Sequence, residues 1–245
     1  MTGERLDPHW VEAFVHARKE ILARITAAAL RAGRDPAAVT LVAVSKTVPA
    51  DRVREAVAAG FGVLGENRVQ EGAAKIPAVP GATWHLVGPL QANKARRAVE
   101  LFDVIQAVDS VELALRLDRI AGEVRSGRPL PVLLQVNVAD DPAKAGFAPE
   151  AVAGVLPAIL DLPNLRVDGL MTIGRLAVAA EEARPTFRAL RELAAGLRDR
   201  DPRLGTALSM GMTDDFEVAV EEGATLVRVG RAIFGERVAP ASGPA

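Results

Sequence analysis

A lysine stands directly after a short apolar stretch in the first fifth of the chain. Residues 41–45 read Leu-Val-Ala-Val-Ser, Lys46 follows, and Pro49 ends the stretch. These residues predict a buried strand on which Val42, Val44 and Lys46 share one face. Burial lowers the pKa of a lysine, and a neutral amine can attack an aldehyde to form a Schiff base. The alternative is a solvated lysine at the end of an ordinary strand, and this stretch by itself favours that alternative.

An arginine interrupts a second apolar strand near the end of the chain. Arg228 lies between Val227 and Val229. A buried guanidinium needs an acceptor, because an unpaired buried charge is strongly destabilising. The acceptor is either a carboxylate of the chain, with Asp168 or Glu66 as partners, or an atom of a ligand. An unprotonated pyridine nitrogen would serve as that atom, because a guanidinium does not release its proton.

A glycine and a short helix follow this strand and are typical of a phosphate site. Gly230 precedes residues 231–235, which predict one short helix whose first backbone N–H groups can bind an anion. Ser209, at the end of another predicted strand, adds a hydroxyl. A tight turn at Gly230 without a ligand explains the local sequence equally well. A ligand with an aldehyde, a ring nitrogen and a phosphate would satisfy the lysine, the arginine and this turn together, and pyridoxal 5′-phosphate (PLP) is such a ligand.

Strands alternate with helical segments along the chain, and this alternation would position the residues above. The predicted strands lie near residues 41–45, 61–64, 83–87, 103–107, 131–137, 166–171, 206–209 and 225–229. Helices are predicted over residues 51–59, 68–75, 94–101, 111–125, 149–160, 181–197 and 214–221. Such alternation is typical of parallel strands with helical crossovers, and the length matches an α/β protein with a single (β/α)8 TIM-type barrel. A doubly wound open sheet is the second candidate, although no Gly-rich dinucleotide turn accompanies it.

The chain is predicted to be one domain over residues 1–245, because no linker or internal repeat is visible. An extra N-terminal helix is predicted within residues 1–33, with Asp7-Pro8 as its start signal and Gly33 as its stop signal. Residues 238–245 are small and contain proline, which predicts a flexible tail. No large apolar helix stripe is left over, and this favours a monomer.

The composition argues against several classes of function. The 245 residues carry a formal net charge of −1 and include no cysteine and no tyrosine. A nearly neutral chain has no electrostatic basis for binding nucleic acid or an anionic membrane, and a chain without cysteine forms no disulfide. No stretch resembles a signal peptide or approaches the ~20 apolar residues of a membrane span. We therefore expect a cytoplasmic protein without nucleic-acid or membrane partners.

Several stretches resemble the pyridoxal phosphate homeostasis protein family, and together they cover nearly the whole chain. They are AVSKT (43–47), GENRVQE (65–71), WHLVGPLQANK (84–94), GLM (169–171), LSMGMTDD (208–215), and VRVG (227–230) followed by AIFG (232–235). The resemblance implies PLP as the cofactor. It also implies a single barrel like the PLP-binding domain of alanine racemase, which is known as fold type III.

At the ring end of the cofactor, the resemblance implies that Lys46 carries PLP as a Schiff base and that Arg228 faces the pyridine nitrogen. It places Asn67 and His85 near the ring. Two alternatives stay open here. His85 is equally explained as a histidine that fills the barrel, and Glu66 as a partner that only pairs with Arg228 or Lys46.

At the phosphate end, the resemblance implies contacts from Ser209, Gly230 and the backbone amide of Arg231. Met210, the neighbour of Ser209, is included in the predicted cofactor-binding set. The family often has threonine where this chain has Arg231. This departure leaves the contribution of the Arg231 side chain open, although its amide is unaffected.

Two classes of function fit a PLP site, and the composition discriminates between them. The racemase that the chain resembles uses a tyrosine opposite the lysine and a second domain. A cysteine-assisted decarboxylase needs a cysteine. This chain contains neither tyrosine nor cysteine. His9 and His16 lie in the predicted N-terminal helix, so only His85 could act as a second base. An arginine at the ring nitrogen also weakens the ring as an electron sink. The sequence therefore predicts a non-enzymatic carrier that delivers PLP to apo-enzymes, with a racemase or decarboxylase as the alternative.

Overall fold

Eight parallel strands close into a barrel in the computed structural model, which describes residues 6–174 and 179–235. The strands are β1 (Thr40–Val44), β2 (Val63–Glu66), β3 (Thr83–Leu86), β4 (Val104–Val108), β5 (Leu130–Gln135), β6 (Leu165–Met171), β7 (Ala207–Ser209) and β8 (Leu226–Val229). Each strand pairs with the next one along the chain, and β8 pairs with β1. The predicted (β/α)8 barrel is confirmed, and the open sheet is excluded.

Helices surround the barrel in the order expected from the sequence. They are α1 (Pro8–Arg31), α2 (Ala50–Ala58), α3 (Val69–Lys75), α4 (Ala95–Leu101), α5 (Val111–Val124), α6 (Pro149–Leu160), α7 (Arg184–Arg200), α8 (Phe216–Glu221) and α9 (Arg231–Phe234). The helix predicted to begin at residue 181 begins later, because residues 180–183 form a 3₁₀ turn. The helix predicted from residue 214 begins at Phe216, because Asp215 Oδ1 accepts the Met212 N–H at 2.6 Å in a turn before it.

The N-terminal helix takes the place of an eighth outer helix. The helix that follows β8, α9, has only 4 residues and is too short to cover a strand. Helix α1 has 24 residues and packs against α2, α8 and α9, in the gap that the short helix leaves. It begins where the Asp7 side chain accepts the His9 N–H at 3.0 Å. The extra helix predicted from the sequence therefore completes the barrel.

Side chains of the strands alternate between a large outer core and the barrel interior. Two small apolar clusters lie inside, one of Val42, Val44 and Val87 and the other of Ala107, Leu133 and Met171. A methyl group added at Gly65 would lie 3.1 Å from Val42 and 3.3 Å from Val44, which places this glycine against the first cluster. The interior also contains polar side chains of β3, β4, β7 and β8.

Strand β4 departs from strict alternation. Ile105 and Val108 both pack in the outer core although they are three residues apart, and the register with β5 shifts between them. A bulge of this kind redirects the side chains between its ends. As a result, both Gln106 and Ala107 face the barrel interior.

The predicted tail, residues 238–245, lies outside the described residues, and the single domain over residues 1–245 stays a prediction. Among the helices within 6–174 and 179–235, none has both the length and the apolar character needed to cross a membrane.

Candidate functional site

Lys46 lies two residues beyond the end of β1, at the carboxyl end of the barrel, and is partly buried. Its strand pairs with β8, with Val42 opposite Arg228. The first and last strands are adjacent, as closure of the predicted barrel requires. Because Val42 and Val44 face the interior, the same alternation directs residue 46 toward the barrel mouth.

Arg228, Ser209, Gln106 and His85 form one hydrogen-bonded chain across the barrel interior. Arg228 donates from Nη1 to Ser209 Oγ at 2.6 Å and from Nη2 to the Thr172 carbonyl at 2.8 Å. Ser209 Oγ donates to Gln106 Oε1 at 2.6 Å. Gln106 Nε2 lies 2.7 Å from His85 Nδ1. All five residues are buried, so side chains of β3, β4, β7 and β8 are connected through polar groups below the mouth. We refer to these five residues as the interior network.

The interior network determines which atom of His85 carries the proton. The amide nitrogen of Gln106 can only donate, so His85 Nδ1 must accept and Nε2 carries the hydrogen. Burial lowers the pKa of His85 to about 4, more than the negative charges of Asp103 and Asp168 raise it. His85 is therefore neutral at physiological pH, and its lone pair is already engaged.

Both salt bridges considered for Arg228 from the sequence are wrong. Asp168 pairs with Arg166, with an Nε to Oδ1 distance of 2.6 Å. Glu66 Oε1 instead accepts from Lys75 Nζ at 2.7 Å. Arg228 is bound by neutral acceptors and is 5% exposed. Within residues 6–174 and 179–235, no carboxylate bonds to this buried guanidinium, so its remaining donors are available to an acceptor on a ligand.

The remaining predicted residues lie at the mouth, with one exception. Gly230 caps α9, and Arg231 is exposed and contacts Asp214. Asn67 follows β2 and is partly buried. Met210 differs from the others, since its side chain is fully buried in the outer core and its N–H donates to the Leu226 carbonyl at 3.1 Å.

Two glycines let backbone segments approach closely at the mouth. A methyl group added at Gly88 would lie 2.4 Å from the Asn67 carbonyl oxygen, so the turns after β2 and β3 contact each other only because residue 88 is glycine. A methyl group at Gly230 would lie 3.0 Å from the Val44 carbonyl oxygen. These contacts bring residue 67 and the start of α9 to the rim that Lys46 also occupies.

Gln106 and Lys75 are polar residues of this region that the sequence did not indicate. Gln106 is a single polar residue within the apolar run of β4. Such an interruption is the signal that singled out Arg228, and it could have singled out Gln106 as well. Lys75 ends α3 and resembles a solvated helix end, yet it is only 7% exposed. Within the described part of the chain, no group of three or more His, Cys, Asp or Glu side chains is arranged to hold a metal ion.

Replacement of His85 with asparagine is expected to remove one source of acid sensitivity. The pKa of His85 is lowered, so the folded state binds its proton less readily than the unfolded chain. The neutral imidazole therefore makes its full contribution to stability above pH ~6.5. As the pH falls to about 4, about 3 kcal/mol of this contribution is lost. Asparagine keeps an oxygen for the Gln106 amide but does not titrate.

Urea unfolding of both proteins at pH 7 and pH 4 measures this effect. The stability difference between wild type and His85→Asn should shift by about 3 kcal/mol in favour of the variant at pH 4. Comparison of the two proteins is needed because burial raises the pKa of Glu66 and of Asp215, which makes the folded state gain stability on acidification. A difference that does not change with pH would contradict the assignment of His85 as buried and neutral.

Comparison with known proteins gives a consistent answer. The family model described as the alanine racemase N-terminal domain matches residues 19–238. A pyridoxal phosphate homeostasis protein of Pseudomonas aeruginosa is 47% identical over 229 residues, which cover 91% of this chain and 96% of the relative. Its Escherichia coli K12 counterpart is 43% identical over 231 residues with the same coverage. The chain belongs to the pyridoxal phosphate homeostasis protein family.

Solved structures agree with this membership. PipY of Synechococcus elongatus, a structure with PLP bound, is 46% identical with a TM-score of 0.76, and the match covers 88% of this chain and all of PipY (100%). An alanine racemase of Clostridium difficile is 14% identical with a TM-score of 0.68, and the match covers 89% of this chain but 56% of the racemase. The homeostasis protein family thus shares its barrel with alanine racemase, and the racemase has a further part that this match does not include.

Proposed function

We propose that this chain binds PLP as a Schiff base on Lys46 and serves in intracellular PLP homeostasis and delivery. The observation that carries the proposal is that Arg228 lies on β8 and Lys46 follows the adjacent strand β1, and that no carboxylate of the described residues bonds to the buried guanidinium. The PLP in the PipY structure and the names of the relatives support it.

The side chains present fit the chemistry of this cofactor. Bound PLP supplies an aldehyde that a lysine amine captures reversibly, which is the chemistry a carrier needs. Arg228 has five N–H donors, two of which are used by Ser209 and Thr172, so it can donate to an unprotonated pyridine nitrogen. The first N–H groups of α9 have no acceptor within the helix and would bind the phosphate.

Four of the remaining predicted contacts are proposed with their predicted roles, whereas the roles of Ser209 and Met210 change. Gly230 and the Arg231 amide lie at the start of α9, and Asn67 and His85 would lie near the ring. The Ser209 hydroxyl would act through Arg228, since it already has a donor and an acceptor in the interior network. The Met210 N–H donates to the Leu226 carbonyl, so we propose that Met210 does not contact the cofactor and only helps to position Ser209.

We further propose that the chain does not turn over amino acids. Racemisation needs a second proton-transfer group opposite the lysine, typically worth ~10²–10⁴-fold in rate. Tyrosine and cysteine are absent from the sequence, and His85 has its lone pair engaged by Gln106. His9 and His16 lie on α1, exposed on the outside of the barrel. None of the three histidines, all of which lie in the described part of the chain, is therefore placed to accept the proton.

A transfer assay tests this function. Purified chain loaded with PLP is mixed with an apo PLP-dependent enzyme, and recovery of that enzyme's activity is compared with recovery from an equal amount of free PLP. We expect recovery from the loaded chain, and amino-acid turnover by the chain itself far below ~1 s⁻¹, the low end for ordinary enzymes. Turnover near 1 s⁻¹ would contradict the carrier function and favour the racemase or decarboxylase.

The same proposal includes the binding partners, the cellular location and the oligomeric state of the protein. We propose apo PLP-dependent enzymes as recipients, a cytoplasmic location and a monomer, with no nucleic-acid or membrane partner. The net charge of −1 supports the last point. Size-exclusion chromatography with light scattering measures the oligomeric state directly.

A further inference from the structure

The residues on both sides of Lys46 are bound to one group of charged side chains. Lys75 Nζ donates to the carbonyl oxygen of Ser45, the residue before Lys46, at 2.7 Å. Glu71 Oε2 accepts the N–H of Thr47, the residue after Lys46, at 2.7 Å. Both side chains belong to α3, the helix that follows β2. The backbone that carries Lys46 is therefore anchored from a neighbouring element.

Lys75 connects the two anchors. Its ammonium lies 2.7 Å from Glu66 Oε1 and 3.6 Å from Glu71 Oε2, the same oxygen that accepts the Thr47 N–H. Glu66 Oε1 also accepts from the Ser45 hydroxyl at 2.7 Å. We refer to Ser45, Glu66, Glu71 and Lys75 as the α3 anchor. Removal of the ammonium would disturb the bonds on both sides of Lys46.

The backbone at Lys46 needs this support. Thr47 has φ of 66°, a left-handed conformation that a β-branched residue adopts only under constraint. Such a residue relaxes to an extended or helical conformation unless its surroundings prevent it. The bond from the Thr47 N–H to Glu71 supplies the constraint at this residue, and the bond from Lys75 fixes the preceding carbonyl.

The burial of the α3 anchor argues against an ordinary surface ion pair. The side chain of Lys75 is 8% exposed, and that of Glu66 is 0% exposed. Among the described residues, Glu66 Oε2 has no hydrogen-bond partner, and burial raises the pKa of this carboxyl. A buried pair of this kind is often neutral or unfavourable for stability relative to apolar residues. Its retention beside Lys46 points to a positioning role.

We propose that Lys75 is a positioning residue for Lys46, and that through the α3 anchor it keeps the turn 45–47 in the conformation that captures the cofactor aldehyde. This inference rests on the proposed function of Lys46. The apparent affinity for a ligand falls in proportion to the fraction of protein in the binding-competent conformation. Loss of the anchor should therefore weaken Schiff-base formation without removing any atom that contacts PLP.

Lys75→Met tests the proposal, with Lys19→Met on the exposed face of α1 as the matched control. Lys75→Met leaves Glu66 buried without its partner, so a second variant, Lys75→Met with Glu66→Gln, removes both charges together. Lys75→Arg keeps the charge and should retain part of the PLP affinity that Lys75→Met loses, because a guanidinium can donate to the same acceptors with different geometry. Thermal melting identifies the variants that remain folded.

Two measurements read out the position of the turn. Titration with PLP, followed by absorbance of the Schiff base, should show an affinity about tenfold weaker in the double variant than in wild type or Lys19→Met. Hydrogen exchange without PLP should show faster exchange at the Thr47 amide. Either wild-type affinity or wild-type exchange in a folded double variant would overturn the proposal.

The two measurements also separate this inference from the function on which it rests. If the wild-type chain forms no Schiff base on Lys46, the proposed function fails, whereas the exchange measurement on the chain without PLP still decides whether Lys75 orders the turn. If wild type forms the Schiff base and exchange at Thr47 is unchanged in the double variant, only the role of Lys75 is wrong.

Discussion

The Lys46→Ala variant is expected to lose all covalent attachment of PLP. Borohydride reduction of the PLP-loaded wild-type chain should leave a mass increment on the peptide that contains Lys46, and the variant should carry none. The reason is that a Schiff base requires a primary amine, and Lys46 lies beyond β1 at the mouth where the ring would lie. Peptide mass spectrometry after reduction provides the measurement.

Weak binding of PLP should survive in the same variant. Gly230 and the start of α9 are unchanged by the substitution, so the phosphate contact remains. Lys19→Ala serves as the control. Lys19 is exposed on α1, outside the barrel, so this variant should show the same mass increment on Lys46 as wild type. An increment on another lysine of the wild-type chain would show that the attachment site has been assigned wrongly.

The Arg228→Met variant is expected to lose PLP affinity while losing little or only part of its stability. Burial lowers the pKa of Arg228 to about 10, although the charge of Asp215 acts in the opposite direction. The folded state therefore pays about 3 kcal/mol for this charge at neutral pH, a cost that disappears only as the pH rises from about 10 to 12.5. Loss of the bonds to Ser209 and Thr172 costs roughly 1.5–3 kcal/mol each, which offsets the gain.

We expect the free energy of unfolding of Arg228→Met to lie about 0–3 kcal/mol below that of wild type, because the loss of two bonds is partly or fully offset by removal of the buried charge. PLP affinity should fall by about 10- to 100-fold, the value of one charge-assisted hydrogen bond to the ring nitrogen. Urea unfolding and absorbance titration supply the two numbers. Arg200→Met, an exposed arginine at the end of α7, is the matched control.

The opposite pattern would assign Arg228 a structural role. Severe destabilisation with unchanged PLP affinity would mean that the guanidinium serves the barrel interior rather than the cofactor. Arg228→Lys adds a further comparison, because it keeps a positive charge but loses the planar set of donors. A donor-based role predicts weakened binding in that variant as well.

The order of the strands and the positions of the key residues at strand ends could be predicted from the sequence. Strands and helices are encoded by local patterns, namely two-residue alternation of β-branched residues and breaks at glycine and proline. Lys46 after one strand and Arg228 within another stand out because they interrupt such patterns. The family resemblance added the identity of the cofactor, which those patterns suggest and the relatives support.

The partners of the polar side chains were decided only by the tertiary structure. Ser209 and Gln106 are 103 residues apart, and they meet because β4 and β7 face each other inside a closed barrel. A bulge in β4 turns Ala107 toward the same interior as Gln106, which the run Val-Ile-Gln-Ala-Val does not reveal. Local pattern is silent about such contacts, because they depend on strand register and on closure of the barrel.

The environment of Lys46 shows the same division. The sequence alone placed the lysine at the end of β1, since the strand and its termination are local properties. Its backbone conformation depends on Lys75 and Glu71, which come from α3 and resemble ordinary helix-surface charges in the sequence. Only the packing of α3 beside the end of β1 buries Lys75 against Glu66, and burial changes a solvated lysine into a specific hydrogen-bond donor.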